Sequence, residues 1–143
     1  MDLPQARRET PLLTTAGQPA ASDFAALRAA GFDAVVNIST PSARNYLADE
    51  ATHVLAEGLL YIHAPVDCTA LEPGHFALVS GALRAFAGKR VLLHCAGNVK
   101  ASAMAHVHRV RELHEDAAAL RADLKRQDWH EPKWYRYFDA MGA

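Results

Sequence analysis

The segment from 91 to 102 constrains the fold of this 143-residue chain more than any other part of it. It opens with the apolar run 91–93, which is typical of a buried strand in a parallel sheet. The run ends at His94 and Cys95, and apolar residues with helical spacing follow over 101–114. A buried strand, a short loop and a helix in succession indicate an α/β domain, with the loop at the carboxyl edge of the sheet.

The loop after this strand has the composition of an anion-binding site around a cysteine nucleophile. The first turn of a helix leaves backbone N–H groups unpaired, and the helix dipole favours negative charge there. The same geometry stabilises the thiolate of Cys95 and a bound phosphate or sulfate, so the nucleophile and the substrate site would coincide. Small residues let the backbone curl tightly, and asparagine tolerates left-handed geometry. The predicted phosphate-binding positions are Ala96, Gly97, Asn98, Val99, Lys100 and Ala101.

Three residues of this segment each have two interpretations. Cys95 is either the nucleophile or a buried apolar cysteine, and its place between a strand end and a glycine-containing loop favours the nucleophile. Ser102 either donates a hydrogen bond to the thiolate, which would help it leave, or bonds to its own backbone in the first helical turn. His94 either orders the loop in a supporting role or simply ends the strand.

The loop resembles the signature of the cysteine-dependent protein tyrosine phosphatase superfamily, which is His-Cys, five residues, Arg, and then Ser or Thr. The chain looks most like the bacterial branch related to the beta-lactamase hydrolase-like family, in which the loop is one residue shorter. Segments 15–19, 31–38 and 129–134 support the resemblance in the expected order. It implies a dual-specificity-phosphatase-like fold and hydrolysis of phosphomonoesters through a phosphocysteine intermediate. Phosphotyrosine is one candidate substrate.

The chain departs from this signature at the arginine. Lys100 stands in its place in the shorter register and Ala101 in the standard one. Arginine offers a planar fork to phosphoryl oxygens, whereas lysine offers a flexible point charge. Loss of such a donor costs on the order of 3 kcal/mol in transition-state stabilisation. A slow phosphatase and a phosphate-binding module without turnover are therefore both compatible with the loop, and sulfur transfer through a cysteine persulfide is a further alternative.

A general acid is the next requirement of phosphoester hydrolysis, because the leaving oxygen needs a proton. The apolar segment 59–66 is predicted to be a strand, and Asp67 follows it directly. The resemblance implies an aspartate in this loop as the acid, with Asp67 the best match and Glu72 the alternative. Asp67 could instead be a capping carboxylate of the loop.

Cys68 follows Asp67, so both cysteines of the chain are predicted to lie on loops at the same edge of the sheet. The resemblance implies Cys68 as a redox partner of Cys95, because some members of the superfamily protect the nucleophile in a reversible disulfide. The alternative is a small apolar residue beneath the loop. A disulfide requires the two α-carbons to approach within about 7 Å.

The rest of the chain predicts a single three-layer domain over 11–143, preceded by a flexible arm over 1–10. Strands that alternate with helices predict a mostly parallel central sheet of four to five strands, flanked by helices. The predicted strands are 12–16, 33–38, 59–66 and 90–94, and the predicted helices are 22–30, 42–57, 74–87, 101–114, 116–126 and 132–141. Aromatic residues concentrate in the last helix, where they either pack against the core or line a cleft.

Composition limits the partners. A formal charge of −1 gives no basis for binding nucleic acid or an anionic membrane. Two cysteines and no signal-like segment predict a reducing cytoplasm. The eight histidines show no zinc-site spacing, so neither a metal nor an organic cofactor is expected. The predicted partner is a phosphorylated small molecule or a phosphoprotein, with Arg44 and Asn45 as flanking contacts, and the oligomeric state is open.

Overall fold

A computed structural model of the protein describes residues 2–143. Five strands form one sheet: β1 Arg7–Arg8, β2 Leu13–Ala16, β3 Ala34–Asn37, β4 Leu60–His63 and β5 Val91–His94. Their order across the sheet is β1-β2-β5-β3-β4. Strands β2, β5, β3 and β4 are parallel, and β1 pairs antiparallel with β2 at the edge. The predicted α/β class and mostly parallel sheet are confirmed, and the apolar segment around 91–93 is its central strand.

Helices cover both faces of this sheet and complete three layers. They are α1 Asp23–Ala29, α2 Glu50–Ala56, α3 Pro73–Ala85, α4 Val99–Arg111, α5 Ala117–Gln127 and α6 Pro132–Met141. Alternation along β5 assigns its side chains to opposite faces. Leu93 and Cys95 join the larger core with α3, α4 and α6, whereas Leu92 joins the smaller core with α1 and α2.

The last helix has the bounds that the sequence predicted. Pro132 occupies its first turn, where the missing N–H costs nothing, and Gly142 ends it in left-handed geometry. Trp134 and Phe138 are almost fully buried in the larger core. The aromatic concentration therefore packs the helix against the core. Among residues 2–143, no helix is long and apolar enough to span a membrane.

Helix α2 is much shorter than predicted, and the prediction of a helix over 42–57 was wrong in its first half. Residues 41–49 form turns, in which the N–H of Ala43 bonds to the carbonyl of Thr40 and the N–H of Tyr46 to that of Ala43. Hydroxyl and amide side chains in this segment compete with a helical backbone, because they hydrogen-bond locally or across the fold. Asn45 does the latter and reaches the loop that follows β5.

The amino-terminal segment also differs from the prediction. Arg7–Arg8 form the edge strand β1, which the prediction of a flexible arm over 1–10 did not include. Glu9 is buried behind this strand, where it accepts hydrogen bonds from Thr15 and Arg109. A buried carboxylate needs such partners, and they fix the segment to α4. Met1 of the predicted arm lies outside the described residues.

Candidate active site

Cys95 lies directly after β5, and its side chain is turned toward the first turn of α4. Its residue is only 2% exposed. The backbone N–H of Ala101 donates a hydrogen bond to Cys95 Sγ over 3.4 Å. Because this N–H belongs to the first turn of a 13-residue helix, the helix dipole adds its positive end to the same contact. The position stabilises a negatively charged sulfur.

The loop between strand and helix is held in an unusual backbone conformation. Asn98 caps α4 with a φ of 66°, in the left-handed region, and its Nδ2 donates to the carbonyl of Gln5 over 2.7 Å. On the other side, Gly17 lies so near the loop that an added Cβ would be 3.0 Å from the carbonyl oxygen of Ala96. Residues outside the loop therefore determine its shape.

The first two carbonyl groups of the loop are bound by donors outside it. His94 Nδ1 lies 3.2 Å from the carbonyl oxygen of Cys95. The carbonyl of Ala96 accepts from the backbone N–H of Gln18 over 3.1 Å and from Asn45 Nδ2 over 2.9 Å. These carbonyl oxygens are thereby engaged, and they are not free to repel an anion at the loop.

Backbone N–H groups of the same loop are left unpaired. Within residues 2–143, the amides of Ala96, Gly97, Val99 and Lys100 have no hydrogen-bond acceptor. All four residues are half-buried. Unpaired amides in such a position are costly unless water or a ligand accepts from them, and successive amides at a helix start are suited to an oxyanion. The structure thus places these predicted phosphate-binding positions around the cysteine.

His94 extends to the other face of the sheet, where it meets a buried carboxylate. His94 Nε2 lies 2.7 Å from Glu50 Oε2, and both residues are buried. Glu50 also accepts hydrogen bonds from Gln18 and Tyr61. Burial raises the pKa of Glu50. The hydrogen bond and the charge of His94, and then the hydrogen bonds of Gln18 and Tyr61, outweigh burial and hold this pKa below its usual value.

Lys100 connects the cysteine loop to the loop after β4. Its Nζ donates a hydrogen bond to the carbonyl of Val66, the residue before Asp67. Asp67 is exposed, and its Oδ1 accepts from the N–H of Thr69 over 3.0 Å. The hydrogen bonds of Thr69, and after them the charge of Lys100, lower the pKa of Asp67. The structure therefore brings Lys100 to the predicted acid loop.

No protein-family model and no curated protein sequence matches the chain. A DUF442 protein from Shewanella putrefaciens CN-32, named as a candidate phosphatase, is 26% identical over 97% of this chain and 89% of that chain, with a TM-score of 0.86. Tk-PTP is 19% identical over 96% of each chain, with a TM-score of 0.76. P. aeruginosa TpbA is 20% identical over 98% of this chain and 85% of that chain, with a TM-score of 0.75. The chain has the cysteine-dependent tyrosine phosphatase fold.

The resemblance to the tyrosine phosphatase superfamily is thereby confirmed. Likeness to the DUF442 protein supports a phosphatase-type function. In this chain the cysteine loop follows the central strand β5, and Asp67 follows the backbone that continues β4. Val66 still pairs with Ile38 beyond the end of β4, so the backbone up to Asp67 stays aligned with the sheet. The roles of individual residues come from the geometry of this chain.

Ser102 bonds to the backbone at the start of its own helix, as one of its two interpretations predicts. Its Oγ donates to the carbonyl of Asn98 over 2.6 Å and lies 3.0 Å from His130 Nε2. His130 Nε2 also lies 2.9 Å from the carbonyl of Val99. Burial lowers the pKa of His130, which favours the neutral ring. Ser102 and His130 are 28 positions apart in the sequence, so no local pattern indicates their contact.

The remaining predicted site residues have other surroundings. Glu72 precedes α3 as its N-cap, and its carbonyl accepts from Tyr137. Cys68 is half-buried beside Lys133, and both Cys68 and Cys95 are free thiols. Arg44 lies in the turns before α2, next to Asn45, whose amide holds the cysteine loop. Among residues 2–143, no group of three or more His, Cys, Asp or Glu side chains is arranged for a metal ion.

Glu50, Gln18 and Tyr61 are the site residues that sequence analysis missed. Glu50 lies 44 residues before His94, and the overlong predicted helix placed it in mid-helix, where a carboxylate is usually solvated. A signal was available in β5, since the alternation that buries Leu93 on one face directs His94 to the other. That alternation predicts a polar partner for His94, but not which residue provides it.

Proposed function

We propose that the protein hydrolyses phosphomonoesters through a phosphocysteine intermediate on Cys95. One observation carries the proposal: the cysteine loop has its carbonyl groups at Cys95 and Ala96 bound from outside, while four of its amides have no acceptor within residues 2–143. Amides arranged in this way favour an oxyanion next to a thiol whose sulfur already receives the N–H of Ala101.

The reaction we propose has two steps. In the first, the Cys95 thiolate attacks phosphorus, an S–P bond forms, and the ester P–O bond breaks as Asp67 gives its proton to the leaving oxygen. In the second, water attacks phosphorus, Asp67 accepts a proton from it, and the S–P bond breaks to release inorganic phosphate and the thiolate. The loop amides stabilise the equatorial oxygens in both transition states.

Turnover is expected to be slow. Lys100 bonds to the carbonyl of Val66, so this cation is shared with the acid loop and offers no planar fork to the phosphoryl group. A phosphotyrosine substrate is supported by the structure of TpbA in complex with pTyr, a protein 20% identical to this one with a TM-score of 0.66 in that complex. We infer a phosphorylated small molecule or a phosphoprotein as the partner.

The decisive experiment measures phosphate release from p-nitrophenyl phosphate by the wild type and by Cys95→Ser. We expect slow release by the wild type, loss of release in the variant, and a phosphorylated cysteine trapped by acid quenching of the wild type during turnover. Unchanged release in Cys95→Ser, with circular dichroism showing that both proteins are folded, would contradict the proposed nucleophile. A mock preparation, purified identically from cells that do not make the protein, measures any contaminating phosphatase, and its release is subtracted from both.

A second candidate function is oxyanion binding without turnover. The bond from Lys100 to the Val66 carbonyl favours it, because the loop's own cation is already engaged. Calorimetric titration with inorganic phosphate and with tungstate distinguishes the two: binding together with undetectable release from aryl phosphates supports the module. Transfer of sulfur from thiosulfate to cyanide by the same protein would instead support a cysteine persulfide on Cys95.

A further inference from the structure

The hydrogen bonds around Glu50 determine which of its neighbours carry protons. Asn37 Oδ1 accepts from the N–H of Ser39 over 2.8 Å, so Asn37 Nδ2 is the group that faces the Tyr61 hydroxyl 3.0 Å away. The hydroxyl oxygen accepts from this amide, and its own proton points to Glu50 Oε2, 2.8 Å away. Tyr61 is therefore a donor to Glu50.

The second oxygen of Glu50 also has a defined donor. Gln18 Nε2 lies 2.6 Å from Glu50 Oε1 and 3.1 Å from the carbonyl of Pro19. Two acceptors on one side of the amide identify its nitrogen, so Gln18 donates to Glu50. Each carboxyl oxygen thus accepts a hydrogen bond from a neutral side chain before His94 is considered. A buried carboxyl with such donors is stabilised as the anion.

Both ring nitrogens of His94 face acceptors. Nδ1 lies 3.2 Å from the carbonyl of Cys95, which only accepts, so Nδ1 carries a proton. Nε2 lies 2.7 Å from Glu50 Oε2, the oxygen of an anion. A neutral imidazole has one N–H, and two acceptors require the imidazolium.

We propose that Glu50 is a positioning residue that keeps His94 doubly protonated, so that the imidazolium binds the carbonyl of Cys95 and keeps it away from the oxyanion site. The proposal deepens the proposed function and rests on Cys95 as its nucleophile. The imidazolium also places a positive charge one residue from the thiol. Glu50 contacts the far nitrogen of the ring, so its negative charge lies further from Cys95 than the positive charge does.

The other groups around His94 leave this arrangement intact. In the sheet, His94 pairs with Ala16 of β2 and Asn37 of β3, and neither carries a charge. Beyond Glu50 of α2, Tyr61 of β4 donates to the same carboxylate, and the Cys95 thiol follows His94 in the chain. His63 of β4 lies in register with Asn37, one strand further from His94, and its Nε2 lies 2.9 Å from the carbonyl of Ser39. Burial first, and then the charge of Glu50, raise the pKa of Tyr61, so the phenol stays protonated and keeps donating.

The protonation of His94 is measured directly by nitrogen-15 NMR of the imidazole rings. The wild type is expected to show both ring nitrogens of His94 protonated at pH 7. Glu50→Gln is expected to leave only one protonated, because the amide replaces the anion. Tyr61→Phe is the matched control: it removes a donor to the same carboxylate and retains the charge, so both nitrogens are expected to stay protonated.

A second measurement follows the effect at the nucleophile without any need for turnover. In a Cys68→Ser background, where Cys95 is the one remaining thiol, Glu50→Gln is expected to slow alkylation by iodoacetamide at pH 6 by about tenfold, because the thiolate loses the neighbouring cation. Tyr61→Phe in the same background is expected to slow it by less than about threefold.

Three results would overturn the proposal. They are a wild-type His94 with a single protonated nitrogen at pH 7, a Glu50→Gln protein whose His94 stays doubly protonated, and a loss of stability in that variant with unchanged alkylation. The wild-type spectrum decides the matter even if Glu50→Gln does not fold. Absence of phosphate release together with the expected spectra and alkylation rates would contradict the proposed function and leave this inference standing.

Discussion

Lys100 Nζ donates a hydrogen bond to the carbonyl oxygen of Val66, the residue before Asp67. The cation at the loop position of the signature arginine is thus bonded to the backbone that carries the predicted general acid. This contact ties the two loops together and orients the acid loop, but it draws the charge away from the unpaired amides. We therefore expect the loop to bind an oxyanion mainly through its amides, with a weak cationic contribution from Lys100.

Lys100→Arg is therefore expected to raise kcat/KM for p-nitrophenyl phosphate by about tenfold or more, because a guanidinium offers parallel donors to phosphoryl oxygens. Lys89→Arg makes the same change on the surface near the start of β5, at the opposite edge of the sheet, and is expected to have no effect. Steady-state kinetics of both variants provide the comparison. Equal kcat/KM in Lys100→Arg and wild type would mean that the loop is not shaped for phosphoryl transfer.

Asp67 supplies a pH signature. Its pKa is lowered by the hydrogen bonds from Thr69 and the charge of Lys100, whereas a general acid works while it is protonated. The protonated fraction in the free protein grows as pH falls, so the ratio of kcat/KM between wild type and Asp67→Asn is expected to rise from about pH 7 to about pH 5 on phenyl phosphate. Phenol is a poor leaving group, so hydrolysis of phenyl phosphate depends on the proton from Asp67.

Glu72→Gln is the control for this prediction, since Glu72 is the alternative acid and acts as the N-cap of α3. It is expected to retain the wild-type pH dependence. If Glu72→Gln removes the dependence and Asp67→Asn retains it, the assignment of the acid is reversed.

Asn98 combines a left-handed backbone with a side-chain hydrogen bond to Gln5, and two substitutions separate these contributions. Asn98→Ala is expected to lower the free energy of unfolding by about 2 kcal/mol, because alanine is strained at positive φ and has no amide donor. Asn98→Gly is expected to lose about 1 kcal/mol, since glycine avoids the strain. Urea denaturation measures both, and equal losses would show that backbone geometry contributes nothing.

The sequence predicted the cysteine loop and the sheet because their signals are local. A short apolar run identifies β5, and small residues before a helical stretch identify the loop. The contact of Glu50 with His94 depends on strand order and on where α2 begins, and neither is encoded near the two residues. The direction of the Lys100 side chain was equally hidden, because its acceptor is a backbone carbonyl 34 residues earlier, which has no residue-type signal.

The shortened α2 also shows that a tertiary contact can override a local structural tendency. Residues 42–49 have a composition that suits a helix start, yet they form turns because Asn45 is bonded to the carbonyl of Ala96 across the fold. A tertiary hydrogen bond outweighed the local helical tendency, which amounts to only fractions of a kcal/mol per residue. Predictions based on periodicity were most reliable for strands and helices whose apolar faces meet the core, as in β5 and α6.

His106 gives a prediction about stability against pH. It is 3% exposed and its ring lies 4.3 Å from that of Phe138. Burial first, and then the charges of Arg121 and Arg109, lower its pKa from 6.5 to about 4. The unfolded chain therefore takes up this proton first as the pH falls, so the stability that neutral His106 contributes is present above pH 6.5 and is lost toward pH 4.

The size of this loss is on the order of 3 kcal/mol, at 1.36 kcal/mol for each unit by which the pKa is lowered. His106→Leu keeps an apolar contact with Phe138 and removes the titration, so its free energy of unfolding is expected to fall less than that of the wild type between pH 6.5 and 4. Urea denaturation across this range measures the difference.

His53→Leu, on the surface beside Asp49, is the control and is expected to change the pH dependence by less than about 1 kcal/mol. Parallel curves for wild type and His106→Leu would mean that another group is responsible for the acid sensitivity.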